Sequence, residues 1–153
     1  VSAIEARLAE LGIVLPAVAV PAGAYVPAVI TGNLVYTAGQ LPFTDGVLPA
    51  TGKVGADVAA DDAHDYARTA VLNALAAVAE AIGSLDRVTR IVKLVGFVAS
   101  DPVFTGQPGV INGASNVLGE IFGEAGNHAR SAVGVAVLPL DSPVEVELIV
   151  EFA

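Results

Sequence analysis

The 153 residues are 54% hydrophobic and 15% charged, which fits a chain with a sizeable core and excludes intrinsic disorder. A net charge of −9 supplies neither the basic footprint that nucleic-acid phosphates require nor the lysine-rich face of a membrane-surface helix, so neither partner is expected. Cysteine is absent, which excludes a disulfide frame, a thiol nucleophile and thiolate metal ligands. That absence is compatible with the cytoplasm, the expected location.

Ser2 to Glu10 reads as a short amphipathic helix. Ser2 and Glu5 have the spacing of a capping box, Ile4, Leu8 and Leu11 recur at helical spacing, and Gly12 ends the turn. The run "GIVLPAVAVPAGAYVPAVI" is apolar but broken by Pro16, Pro21 and Pro27, which spoil both a membrane span and a signal peptide. In "VITGNLVYTAGQLP", Thr31-Gly32-Asn33 turns a hairpin into a β-rich run from Leu34 to Ala38. Residues 44 to 56 form a glycine-bearing loop.

The strongest helical pattern runs from Asp57 to Ile82. Acidic residues sit at its N-terminal end, an alanine-rich stripe lines one face, and Gly83 closes it. Val88 to Val98 is expected as a strand. Gln107 to Phe122 is a second helix, weakened by Gly109, Gly113 and Gly119. Ser131 to Leu138 and Val144 to Phe152 are strands joined at "PLDSP" in an expected hairpin. The order β-β-α-β-α-β-β, after an N-terminal helical appendix of residues 1–15, predicts a single α+β domain over 1–153 with both helices on one face of a mixed sheet. The other face stays apolar and calls for further copies of the chain, so a homo-oligomer is expected.

One charge stands out. Arg130 is the sole lysine or arginine after Lys93, against seven acids in that stretch, and it heads the apolar segment "HARSAVGVAVLPL". By strand alternation Ser131, Val133, Val135 and Val137 point one way, and Arg130, Ala132, Gly134 and Ala136 the other. A wall of valines packs a core; alanine and glycine leave room. A guanidinium fork beside free space and backbone N–H groups suits a carboxylate ligand. The plain alternative is an ion pair with Glu145 or Glu147, which alternate with Val144, Val146 and Leu148 in the last strand. Either glutamate, if partly desolvated, could position a water or act as general base. Asn112 heads the glycine-rich helix and suits a ligand contact or a helix-end role. Tyr25 sits in "PAGAYVPAV", where a packing role is the ordinary one. "GQPGVING" lacks the phosphate-loop lysine and the dinucleotide spacing. His64 and His128 show neither metal-ligand spacing nor a hydrolase triad.

Taken in order, "PAGAYVPAV", "TGNLVYTAGQLP", "IVKLVGFVAS", "VIN" and "HARSAVGVAVLPLDSPVEVELIVE" resemble the Rid family, the reactive intermediate deaminases also called RidA/YjgF proteins. The resemblance runs from about Pro21 to Phe152. It implies a chorismate-mutase-like fold, a homotrimer around a central barrel, and ligand sites in the clefts between subunits. It further implies cofactor-independent hydrolysis of 2-imino and enamine acids to 2-keto acids and ammonia, with no metal. The family's carboxylate-binding arginine falls on Arg130 and its water-associated glutamate on Glu145. Its tyrosine, asparagine and glycine contacts fall on Tyr25, Asn112 and Gly39, and the Ala132 N–H takes a carboxylate-donor position. Ala132 replaces the family's usual cysteine, Ala38 a frequent serine, and His128 a proline or small residue. These departures mark a divergent branch. The alternative reading is a non-catalytic small-carboxylate binding or sensing module on the same fold.

Overall fold

A computed structural model describes residues 2–153. Helix α1 (Ala3–Glu10) starts on the expected capping box: Ser2 Oγ accepts from Glu5 N–H at 3.1 Å, and Glu5 Oε2 accepts from Ser2 N–H at 3.2 Å. The helix is fastened at both ends to the body. Ile4 N–H donates to Asp86 Oδ1 at 2.9 Å, and Arg7 Nε donates to the Glu120 carbonyl at 2.7 Å.

Strands β1 (Ala28–Thr31) and β2 (Leu34–Thr37) form the expected hairpin, turning at Gly32 with φ +58°. Helix α2 (Ala60–Ile82) begins three residues later than its acidic pattern suggests. Asp57 stays outside it because its carboxylate accepts from Lys53 N–H at 3.1 Å and closes the preceding loop. The alanine stripe is the buried face: Ala63, Ala67, Ala70 and Ala74 have no exposed surface. Small side chains let α2 and α3 (Gln107–Phe122) approach closely. A Cβ on Gly113 would lie 1.8 Å from the His64 carbonyl oxygen.

Strands β3 (Val88–Ala99), β4 (Ala129–Val135) and β5 (Val144–Phe152) complete a five-stranded mixed sheet in the order β1-β2-β5-β3-β4. β4 runs parallel to β3 and is reached through α3, the crossover that a parallel pair demands. The expected β4–β5 hairpin at "PLDSP" does not form. β5 instead lies between β2 and β3, antiparallel to both. The connection wraps the end of β3: Ser100 N–H donates to the Val135 carbonyl on one side and Ala99 N–H to the Pro143 carbonyl on the other. In it Leu140 and Asp141 both take positive φ, 59° and 57°, the backbone of a tight turn, but the strands it joins diverge to opposite sides of β3 instead of pairing. The central position covers Val144, Val146, Leu148 and Val150 of β5 completely, where an outer position would leave them half covered.

The two faces of the sheet differ. Leu94, Val98 and the β5 valines meet α2 and α3. Tyr36, Val95, Phe97, Val133, Glu145, Glu147 and Ile149 share the opposite, uncovered face by register. There Tyr36 is 42% and Val133 44% exposed. Among the described residues no helix is long and apolar enough to cross a membrane.

Candidate functional site

β4 corrects the expected use of its two sides. The alanine–glycine side is the packed one: Ala132 rests against the core, and a Cβ on Gly134 would lie 2.8 Å from Gln107 Nε2. The small residues make room for the first turns of α3. The valine side, expected to pack, faces outward within this chain.

Arg130 heads the packed side and reaches under α3. Its Nη1 donates to Asn112 Oδ1 at 2.7 Å and to Ser115 Oγ at 3.2 Å; Nη2 has a long contact of 3.4 Å to the Pro108 carbonyl. The chain forms no ion pair between Arg130 and Glu145 or Glu147 among the described residues. It cannot, because register puts Arg130 with Leu94 and Leu148, on the opposite face from both glutamates. A half-buried guanidinium without an acid has the chemistry to bind an anion. The edge of β4 adds donors. Val135 turns its carbonyl toward β3, so by alternation Arg130, Ala132 and Gly134 turn their backbone groups to the free edge. The Ala132 N–H thus lies on the same strand edge, two residues from the arginine.

Glu145 belongs to a second cluster. It packs against Gly39, where a Cβ would come within 2.9 Å of the Glu145 carboxyl carbon, so any larger residue there would displace the carboxylate from this position. Gly39 is fixed by the neighbouring bridge, in which Gln40 N–H donates to the Val146 carbonyl at 2.8 Å and Val146 N–H to the Gln40 carbonyl at 3.0 Å. Burial pushes the Glu145 carboxyl above the usual carboxylate range, and the nearby Glu147 charge adds to the rise. Tyr25 joins neither cluster. It is 52% exposed, and its hydroxyl accepts from the Ala22 N–H at 3.1 Å. The structure therefore brings Arg130, Asn112 and Ala132 together, and Glu145 with Gly39, on opposite faces of one sheet.

Two residues of the arginine cluster were not singled out as ligands or partners from the sequence. Ser115 lies one turn beyond Asn112 on α3, and His128 two residues before Arg130, on the same side of the chain; helical and strand spacing are the signals that mark them. His128 Nε2 lies 2.9 Å from Ser115 Oγ, and His128 Nδ1 lies 2.6 Å from the Gly126 carbonyl. Elsewhere, a hollow of about 450 Å³ between Pro16–Val20 and Phe43, Asp45 and Asn73 contains neither cluster. Among the described residues no three His, Asp or Glu side chains converge as metal ligands.

The sequence profile of the YjgF/chorismate mutase-like family, whose description also proposes an endoribonuclease, matches residues 5–152. The chain belongs to this family. Protein TCP17 of Trypanosoma cruzi is 46% identical over 149 residues, covering 97% of this chain and 93% of the relative. The 2-iminobutanoate/2-iminopropanoate deaminase of Escherichia coli K12 is 38% identical over 130 residues, covering 83% of this chain and 86% of the enzyme. Among solved structures, the Agrobacterium tumefaciens protein Atu1372, of unknown function, superposes with a TM-score of 0.91 at 48% identity, covering 98% of this chain and 92% of that one. The family thus includes imine deaminases, and the mixed sheet with its two covering helices is the family's fold.

Proposed function

We propose that this chain is a cofactor-independent deaminase that hydrolyses 2-imino acids to 2-keto acids and ammonia, at clefts between the subunits of a homotrimer. The observation that carries the reading is Arg130: half-buried, without an acidic partner, and steadied by Asn112 and Ser115 so that part of its fork stays free. The relationship to a 2-iminobutanoate/2-iminopropanoate deaminase supplies the substrate class.

In this mechanism Arg130 and the Ala132 N–H hold the substrate carboxylate, with Asn112 beside them. Glu145 orients a water and takes its proton as the oxygen bonds to the imine carbon. The C=N pair moves to nitrogen, which is protonated, giving a tetrahedral carbinolamine. The amine nitrogen then takes a second proton, the C–N bond breaks with its electron pair leaving on nitrogen, the hydroxyl loses its proton as C=O forms, and keto acid and ammonia leave. A carboxyl raised by burial is a stronger base than an ordinary one, which suits this step. The backbone of Gly39 lies beside Glu145 in this cleft, and Tyr25, which joins neither cluster within one chain, enters it from a neighbouring copy. Positioning and charge stabilisation of an already labile bond are the protein's share.

Arg130 and Glu145 occupy opposite faces of one sheet, so a site using both draws them from two copies. The uncovered face with Tyr36 and Val133 gives those copies an apolar surface to bury. A net charge of −9 opposes the endoribonuclease reading.

The test is keto-acid release from 2-iminobutanoate generated in situ by an amino-acid oxidase. Wild type is expected to exceed the spontaneous rate, and Arg130→Ala to lose about a hundredfold or more of that acceleration. No acceleration with any of several 2-imino acids would reject the enzyme. The second reading, a non-catalytic carboxylate-binding module, draws support from the arginine seat being complete without Glu145. It predicts that 2-oxobutanoate raises the melting temperature through Arg130 while turnover stays at the spontaneous rate.

A further inference from the structure

The residue that the sequence leaves without a role, His128, is tied to Arg130 through one hydroxyl. Its Nδ1 sits 2.6 Å from the Gly126 carbonyl, which can only accept, so Nδ1 carries the proton. In the neutral ring Nε2 is then an acceptor, and at 2.9 Å it accepts a hydrogen bond from the Ser115 hydroxyl. That leaves the Ser115 oxygen with its lone pairs turned away from His128, and it accepts from Arg130 Nη1 at 3.2 Å. The second Nη1 proton goes to Asn112 Oδ1 at 2.7 Å.

A guanidinium has five N–H donors. Both on Nη1 are engaged, and one on Nη2 points weakly to the Pro108 carbonyl at 3.4 Å. Nε–H and the Nη2 hydrogen beside it form one parallel edge of the fork; among the described residues Nε has no acceptor, and Nη2 has only the long Pro108 contact. Two parallel N–H bonds are the geometry a carboxylate takes up bidentately.

We propose that Ser115 and His128 are positioning residues that fix Arg130 with its Nε–Nη2 edge toward the substrate carboxylate. The order of bonds is Gly126 carbonyl, His128, Ser115, Arg130. Asn112 alone would leave the guanidinium free to pivot about one bond. The second bond, whose direction His128 sets through the Ser115 hydroxyl, removes that rotation before the ligand arrives. The inference rests on the carboxylate-seat reading above and adds to it the two residues that hold the seat.

The experiment titrates 2-oxobutanoate into the full-length wild type and the variants Ser115→Ala, Ser115→Thr, His128→Ala and His128→Gln. 2-Oxobutanamide, which lacks the carboxylate, is titrated in parallel, and circular dichroism checks the fold. Ser115→Ala and His128→Ala are expected to weaken the acid about tenfold and leave the amide unchanged. Threonine keeps the hydroxyl, and glutamine places an amide oxygen near the Nε2 position, so both are expected to recover most of the affinity. In turnover of 2-iminobutanoate the alanine variants raise KM about tenfold with kcat within about twofold. Acid binding unchanged in both alanine variants overturns the proposal, as does equal loss of acid and amide, or failure of threonine and glutamine to restore the acid. Wild type that binds no 2-oxobutanoate removes the seat itself and rejects the functional reading along with the inference. Wild type that binds while the variants are indifferent rejects the inference alone.

Discussion

The helix-covered face of the sheet and the uncovered face are made by the same strands, yet they use side chains in different ways. Under α2 and α3 the residues are small or aliphatic, and contacts are so close that Gly113 has no room for a methyl group against His64. On the other face Tyr36 and Val133 remain 42% and 44% exposed, with Glu145 and Glu147 among them. The first face is finished by the chain itself. The second has the composition of a surface awaiting a partner. Each face holds one half of the proposed chemistry, Arg130 at the margin of the first and Glu145 on the second.

The largest expected effect attacks the covered face. Gly113→Ala drives a Cβ into the His64 backbone carbonyl and forces α2 and α3 apart, at a cost of about 3 kcal/mol. Thermal melting checks this, and a melting temperature near wild type would mean the helices can separate freely. The same substitution at Gly109, where nothing lies within 4 Å of a new Cβ, is expected to be neutral or stabilising by up to about 1 kcal/mol.

A middle-sized effect separates the two faces. Val133→Asp puts a charge on the uncovered face, beside Phe97 and two strands from Glu145. The chain should keep its circular dichroism spectrum and lose its assembly, read by light scattering. A monomeric wild type, or a variant that still assembles, would remove the reason for reading this face as an interface.

The smallest effect is electrostatic. The Glu145 carboxyl is raised in the fold, so the folded chain holds its proton more tightly than the unfolded chain does. Stability therefore falls as pH rises from the ordinary carboxylate range through the raised value, and the penalty is complete above it. Glu145→Gln should melt slightly higher than wild type at neutral pH, and the difference should vanish in acid below the ordinary carboxylate range. Turnover by this variant should fall steeply, so stability and activity move in opposite directions. A loss of stability at neutral pH would instead make Glu145 a structural residue.

Much of this was legible in the sequence where one local rule decides. The capping box at Ser2, the hairpin at Gly32, the alanine stripe of α2 and the β5 alternation all follow from spacing. The place of β5 was not legible, because "PLDSP" joins two antiparallel strands whether or not they pair, and what decides is how completely α2 can cover Val144 to Val150. Alternation sorted the β4 residues correctly, yet it could not say which side the helix would take. Small residues make space, and α3 filled part of it, leaving Arg130 at the rim with Ser115 and His128 behind it.

The central claim is that one working site is shared by two copies, with Arg130 from one and Glu145 from its neighbour. The direct measurement mixes Arg130→Ala and Glu145→Gln subunits, co-expressed with separable tags, and assays the mixed assemblies on 2-iminobutanoate. In every mixed trimer one site of the three receives both intact residues, so the mixed assemblies should recover about a third of wild-type activity while each variant alone stays near the spontaneous rate. Mixed assemblies no more active than the separate variants would contradict a shared site.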